Sequence, residues 1–304
     1  MGYNAAGKST LVEQYVRRGY YRLNRDVAGK SLDDLAKTAD EILYNNPSDI
    51  VLDNTYPSVG SRQPIIRVAK NHEVPIKCVH LTTSFEDAQL NACLRMMKKV
   101  GKILNPEDFK KVKDPNLFPP AAIYHYRKEF QPPTLKEGFS AIEEVPFVRS
   151  WGSEYRNKAL LLDYDGTLRT HSGAQKYPCN PSEISILPGR KERLKEYLNK
   201  GYKLLGASNQ SGVAKGSVSE EAVVRCFEQT NNLLEINIEY KYCPHPSNPI
   251  VCYCRKPGPG MGAYFIAKYK LSPSECIFVG DMTSDKTFAT RCGFQYVNAN
   301  EFFK

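Results

Sequence analysis

The apolar run Ala159-Leu160-Leu161-Leu162, ending in Asp163-Tyr164-Asp165-Gly166-Thr167-Leu168, constrains the fold more than any other tract of the chain. Apolar residues in unbroken succession, closed by acid and glycine, fit a strand buried on both faces, as in parallel sheets covered by helices. Asp163 and Asp165, two residues apart, would leave such a strand on the same side, at the sheet edge. There the first carboxylate is suited to act as a nucleophile toward phosphorus, and the second to pass a proton to the leaving oxygen. A bound Mg²⁺ would offset the charge of two approaching anions. Gly166 allows the backbone a tight turn. Taken alone, the two carboxylates would also suit a strand-end turn.

Three further segments follow in the order this chemistry needs. Residues 202–210 (Tyr-Lys-Leu-Leu-Gly-Ala-Ser-Asn-Gln) read as a strand ending in hydroxyl and amide groups suited to a phosphate. Arg255-Lys256-Pro257 supplies a cation, and Cys276-Ile277-Phe278-Val279-Gly280-Asp281, followed by Asp285, is a second apolar strand ending in acid. Together these resemble the four motifs of the haloacid-dehalogenase-like (HAD) phosphatases, over about the C-terminal half. The resemblance implies Asp163 as aspartyl-phosphate nucleophile and Asp165 as general acid/base. It implies Ser208 and Lys256 as the phosphate grip. Mg²⁺ would be held by Asp163, Asp281 and the backbone carbonyl of Asp165, with Asp285 nearby. Ser208 stands where threonine is also common in that family, and the change keeps the hydroxyl.

The cysteines narrow the reading. Cys243-Pro244-His245 and Cys252-Tyr253-Cys254 place three thiols and an imidazole in one short stretch, a soft tetrahedral donor set of the kind Zn²⁺ favours, with no evident open position. Scattered core cysteines are the plainer reading, since free thiols are often buried. The loop runs directly into Lys256, so a zinc staple here would position the catalytic lysine. With Ser208-Asn209-Gln210-Ser211-Gly212-Val213-Ala214-Lys215-Gly216, the arrangement resembles the histidinol-phosphate and heptose-bisphosphate phosphatases. Cys78, Cys93, Cys179, Cys226, Cys276 and Cys292 lack ligand spacing and read as reduced thiols.

Both halves of the 304 residues alternate short apolar strands with longer helical patterns, which predicts an α/β fold with parallel sheets. A polar stretch at 147–158 reads as the linker, giving domains over 1–149 and 158–304. Strands are expected near 20–24, 49–53 and 75–81 in the first half. In the second they are expected near 158–164, 202–207, 239–242 and 276–280. The intervals 168–208 and 209–255 are too short for a large cap, so the phosphatase site should be open. No apolar run nears the ~18 residues of a membrane helix. The formal net charge of +9 leans weakly toward anionic partners. The thiols, and the absence of anything resembling a signal peptide, lead to the expectation of a protein inside the cell, with nucleus and cytoplasm both open.

Gly2-Tyr3-Asn4-Ala5-Ala6-Gly7-Lys8-Ser9 fits G-x-x-x-x-G-K-[ST], a loop whose backbone N–H groups wrap phosphates. Lys8 would reach the β/γ-phosphates of ATP, Ser9 would ligate Mg²⁺, and Thr10 continues a helix whose N-terminus favours anions. Such a loop ordinarily follows the central strand of its sheet. Here that first strand is missing, and a truncated start is the expected reason. Downstream, Asn24-Arg25-Asp26, Asp53-Asn54-Thr55, Ser61-Arg62 and Arg127-Lys128-Glu129-Phe130 resemble the kinase domain of polynucleotide kinase 3′-phosphatases, over nearly all of the first half. The resemblance implies Asp26 as the base toward an acceptor hydroxyl, Asp53 beside the metal, and Arg95 as a lid arginine. The resemblance also implies a second lid arginine, at a position where this chain has Cys93. The cluster Lys98, Lys99, Lys102, Lys110, Lys111 and Lys113 would compensate, bind a phosphate backbone, or form a solvated helix face. Asp26 and Asp53 would also suit strand-end turns.

Three functions follow. The first is a nucleic-acid end-processing enzyme, a 5′-hydroxyl kinase joined to a 3′-phosphatase, using ATP, Mg²⁺ and Zn²⁺ and with no membrane partner. The second is a small-molecule kinase fused to a sugar or amino-alcohol phosphatase. The third is a nucleic-acid-binding scaffold with decayed sites, against which the intact Asp163, Asp165, Lys256 and Asp281 speak.

Overall fold

A computed structural model of the chain describes residues 1–174 and 177–304. It divides into two compact units, one of residues 1–91 and 113–149, the other of 92–112 and 150–304. The domain expected over 1–149 therefore does not coincide with one unit. Residues 92–112 lie with the second because their apolar groups pack there. Cys93 and Met96 are fully buried, and the Phe109 ring meets Tyr253 edge-on at 6.4 Å.

The first half contains, in chain order, α1 (Lys8–Val16), β1 (Tyr21–Leu23), α2 (Arg25–Ala28), α3 (Leu32–Asn45), β2 (Ile50–Leu52), α4 (Val59–Asn71), β3 (Lys77–Leu81), α5 (Phe85–Val100), α6 (Pro106–Lys111), α7 (Pro120–Glu129) and β4 (Ala141–Val145). Strands β1 and β2 pair in parallel, as do β3 and β4, but no ladder joins β2 to β3 among the described residues. Between them lies a cavity of about 710 Å³, lined by Ile50, Val51 and Leu52 on one side and Lys77, Cys78 and Val79 on the other. Met1 spans its end: Leu81 N donates to Met1 O at 2.9 Å, and Gly2 N donates to Thr55 O at 3.3 Å.

The second half adds β5 (Ala159–Leu162), β6 (Arg169–His171), β7 (Ile184–Ile186), α8 (Arg190–Asn199), β8 (Lys203–Asn209), α9 (Glu220–Leu234), β9 (Glu239–Cys243), α10 (Gly260–Tyr269), β10 (Ile277–Gly280), α11 (Thr283–Cys292), β11 (Gln295–Asn298) and α12 (Ala299–Phe302). Its five-stranded parallel sheet has the order β11-β10-β5-β8-β9. Every residue of β5 is fully buried, which explains its unbroken apolar run. The chain leaves β5 first toward β8 and β9, then returns to β10 and β11 on the other side. The carboxyl ends of β5 and β10 thus meet at a topological switch point, where α/β sheets open a crevice.

Helix α9 covers the sheet because Val223, Cys226, Phe227, Thr230 and Leu234 recur at helical spacing and are all buried. Ser219 starts it by accepting from Ala222 N, and Glu220 and Glu221 complement its first turn. The antiparallel pair β6–β7 is the only insertion between β5 and α8 with ladder hydrogen bonds among the described residues. This is a minimal cap. No helix is long and apolar enough to cross a membrane.

Candidate active site

Strand β5 delivers Asp163 to the sheet edge with 7% of its surface exposed. The Lys256 ammonium, itself buried, lies 2.8 Å from Asp163 Oδ1 and 2.7 Å from Asp285 Oδ1. Oxygens of Asp163, Asp281 and Asp285 come within 4.8 Å of one another. Gly166 makes this convergence possible: its φ is +83°, and a Cβ there would stand 2.6 Å from Asp281 Oδ2. Asp285 is fixed at the start of α11 by accepting from Met282 N at 3.1 Å.

Burial pushes the Asp163 carboxyl upward, Lys256 pulls it back, and Asp285 and Asp165 push it up again. Burial also raises Asp281, with Asp285 adding to it. Desolvation works against the Lys256 charge, but Asp163 and Asp285 prevail and hold its proton more tightly than usual. A cluster of three carboxylates with one lysine as counter-charge suits a divalent cation. Asp285 Oδ1 also fits: it is buried, and even with Lys256 nearby it receives no well-directed hydrogen bond.

Strand β8 contributes Ser208, almost fully buried, and two side-chain amides beyond it. Asn209 clamps the Lys256 backbone reciprocally, its Nδ2 donating to Lys256 O and its Oδ1 accepting from Lys256 N, both at 2.9 Å. Gln210 Nε2 donates to Ser208 Oγ at 3.0 Å and to Asp165 Oδ2 at 2.8 Å. The Asp165 side chain therefore faces Gln210 and Arg169, outside the three-carboxylate cluster.

Cys243, His245, Cys252 and Cys254 converge with ligand atoms within 4.8 Å. The Cys243 and Cys252 sulfurs are 3.6 Å apart, those of Cys254 and Cys243 3.3 Å, and His245 Nδ1 is 3.4 Å and 3.2 Å from Cys243 and Cys254. Sulfurs around a tetrahedral zinc with Zn–S near 2.3 Å would be about 3.8 Å apart, whereas a disulfide needs about 2.05 Å. The donor set fits the zinc geometry. It also sits where it matters, because Gln210 N donates to Cys243 O at 2.8 Å and Cys254 is two residues from Lys256.

In the first unit the phosphate loop leads into α1. Gly7 caps this helix with φ 96°, and Gly2 and Ala5 also take positive φ. Lys8 Nζ donates to Gly2 O at 3.1 Å and Tyr3 O at 2.6 Å, folded across the loop. Ser9 Oγ donates to Asp53 Oδ2 at 2.9 Å, and the Arg22 guanidinium pairs with that same oxygen. A nest of loop amides with a lysine and a Ser–Asp pair beside it fits a nucleoside triphosphate and its cation. Thr10 is exposed on α1. Asn24 Nδ2 donates to Asp53 O, and Arg25 N to Asn54 Oδ1. These bonds bring the expected base, Asp26, onto the same strand-end cluster. It is exposed in the first turn of α2, 3.4 Å from Arg25 Nε. Arg95 lies on α5 in the stretch that belongs to the second unit, and Cys93 is buried there. Of the lysine cluster, Lys102 pairs with Asp108 and Lys110 with Glu107.

A family model described as "AAA domain" matches residues 1–95, and one described as "Polynucleotide kinase 3 phosphatase" matches 158–303. A heptose-1,7-bisphosphate 7-phosphatase of Haemophilus influenzae is 35% identical over 42% of this chain and 73% of its own length. The chain belongs to the HAD-like phosphatases. A bifunctional polynucleotide phosphatase/kinase of Schizosaccharomyces pombe is 38% identical over 48% of this chain but only 32% of its own length. The solved heptose bisphosphatase of B. bronchiseptica is 24% identical, covering 46% of this chain and 78% of its own, at a TM-score of 0.42.

Within this HAD phosphatase unit the structure brings together Asp163, Ser208, Lys256, Asp281 and Asp285, with Asp165 at the margin. The sequence suggests a phosphate for the amides of Asn209 and Gln210; the structure shows them bonded to the Lys256 backbone and to Asp165 and Ser208. The available signal was two amides directly after a strand-end hydroxyl, a place where side chains tie loops together.

Proposed function

We propose that the protein is a nucleic-acid end-processing enzyme, a 5′-hydroxyl kinase joined to a 3′-phosphatase. The observation that carries this reading is the presence, in one chain, of a phosphate loop with its Ser9–Asp53 pair and a HAD cluster similar to a polynucleotide phosphatase/kinase. In the phosphatase half an oxygen of Asp163 attacks phosphorus while Lys256 and Ser208 hold the phosphoryl oxygens. The P–O bond to the leaving group breaks, and that oxygen takes a proton from Asp165. Water then attacks the aspartyl phosphate, its proton passes to Asp165, and phosphate leaves with Asp163 restored. Mg²⁺ bound at Asp163, Asp281 and the Asp165 carbonyl, beside Asp285, would supply charge neutralisation. Zn²⁺ held by Cys243, His245, Cys252 and Cys254 would be structural, bracing the backbone that leads to Lys256. In the kinase half, Lys8 and the loop amides would hold the ATP phosphates and Asp26 would receive the acceptor hydroxyl's proton, so catalysis is positioning and charge neutralisation.

A specific observation favours a second reading, a metabolite phosphatase. The sugar-bisphosphatase relative matches over nearly three quarters of its own length. The two readings separate in one assay. Phosphate release from a 3′-phosphorylated oligonucleotide should exceed release from histidinol phosphate and heptose bisphosphate. Preference for either metabolite would replace the first reading by the second.

A further inference from the structure

We propose that Arg169 is a positioning residue that decides which oxygen of Asp165 carries the transferred proton. The inference rests on the phosphatase reading above. Arg169 is 1% exposed, and a buried guanidinium is tolerated only when its hydrogen bonds are met. Its Nε donates to Asp165 Oδ1 at 2.7 Å, and its Nη1 donates to Cys226 O at 2.8 Å and Thr230 Oγ1 at 2.9 Å. Thr230 Oγ1 in turn donates to Cys226 O at 2.7 Å, and the guanidinium carbon lies 5.3 Å and 5.0 Å from the Tyr164 and Phe227 ring centroids. The cation is therefore fixed to α9, and it fixes one oxygen of Asp165.

The consequence is chemical. Each oxygen accepts one N–H, Oδ1 from the Arg169 guanidinium and Oδ2 from the neutral Gln210 amide, so charge is what separates them. The oxygen beside the cation is the less basic, and the neutral acid carries its proton on Oδ2, on the lone pair that Gln210 leaves open. That oxygen lies on the phosphate side, because Gln210 Nε2 bridges it to Ser208 Oγ. In the first half-reaction Oδ2–H gives its proton to the leaving oxygen as the P–O bond breaks. In the second, Oδ2 takes the proton of the attacking water as the Asp163–phosphorus bond breaks. Atoms and charge balance with Oδ2 as the only carrier. Without Arg169 both oxygens could take the proton, and the side chain could turn away from Ser208.

The test uses leaving groups. For kcat/KM the limiting step is transfer to Asp163, in which an alkyl leaving oxygen needs the proton and p-nitrophenolate needs it far less. In the full chain with Mg²⁺, Arg169→Met should lower kcat/KM for a 3′-phosphorylated oligonucleotide about 10²-fold more than for p-nitrophenyl phosphate, within the range general acids supply. Arg169→Lys should recover part of that difference. Thr230→Val, which loosens Arg169 without touching Asp165, should shift the same ratio in the same direction and keeps the test available if Arg169→Met does not fold. Equal losses on both substrates, or a ratio unmoved in Thr230→Val and Arg169→Lys, would overturn the proposal. A wild-type protein inactive on both substrates would instead bring down the phosphatase reading on which it stands.

Discussion

Asp163→Asn should lower phosphate release on the order of 10⁴-fold or more, because no other carboxylate stands at the end of β5 with a lysine at its oxygen. Circular dichroism and zinc content should not change, and turnover near that of the wild type would refute the assignment. Arg62 and Glu137 form a buried bidentate pair at 2.7 Å and 2.9 Å in the first unit. Burial pushes the Glu137 carboxyl up, but its bonds with Arg62 and Thr134 prevail and leave it below the ordinary value. A depressed carboxylate stabilises the fold above its unfolded pKa, and that stabilisation disappears as pH falls through the folded value. Glu137→Gln should therefore cost about 3–5 kcal/mol at neutral pH, and the gap to wild type should narrow in acid, below the ordinary carboxylate range. Denaturant melts at neutral and acidic pH measure it, and a gap independent of pH would contradict the account.

Between β9 and α10, the donor set ties the end of β9 to the backbone before Lys256. Metal binding in such a loop is also folding energy. Chelation should increase amide exchange over residues 243–256, lower the melting temperature, and weaken phosphatase activity. Protein purified without chelators should carry one zinc per chain, and finding none would dispose of the zinc reading. The cavity between β2 and β3 makes a second prediction. The cavity lies between the two ladders, and Met1 already pairs with β3 at its end, its N donating to Val79 O and its O accepting from Leu81 N. A strand of about five residues, rising ~3.3 Å each, would continue that pairing into the slot. An apolar, β-branched extension placed before Met1 should raise the melting temperature of the first unit and stiffen the phosphate loop. ATP-dependent 5′-labelling should rise with it and be lost in Lys8→Ala. An extension that leaves both unchanged would show that the slot does not accept a strand.

Across the whole molecule the two clusters lie in separate compact units, so their losses should be independent. Lys8→Ala should abolish 5′-labelling and spare phosphatase turnover, while Asp163→Asn should do the reverse; crossed losses would show coupling. The sequence by itself determined the parallel α/β class, the four acidic and basic strand-end motifs, the phosphate loop and the cysteine set. Each of these is written in local spacing: an apolar run, a glycine turn, ligands a few residues apart. Only the tertiary structure decided that Asn209 grips the Lys256 backbone and that Arg169 holds Asp165. It also decided that residues 92–112 pack with the second unit. Those contacts join groups distant in the chain, or turn a side chain inward whose type alone favours solvent. Arginine reads as a surface residue until the carboxylate, carbonyl and hydroxyl that receive its hydrogen bonds are brought together by the fold.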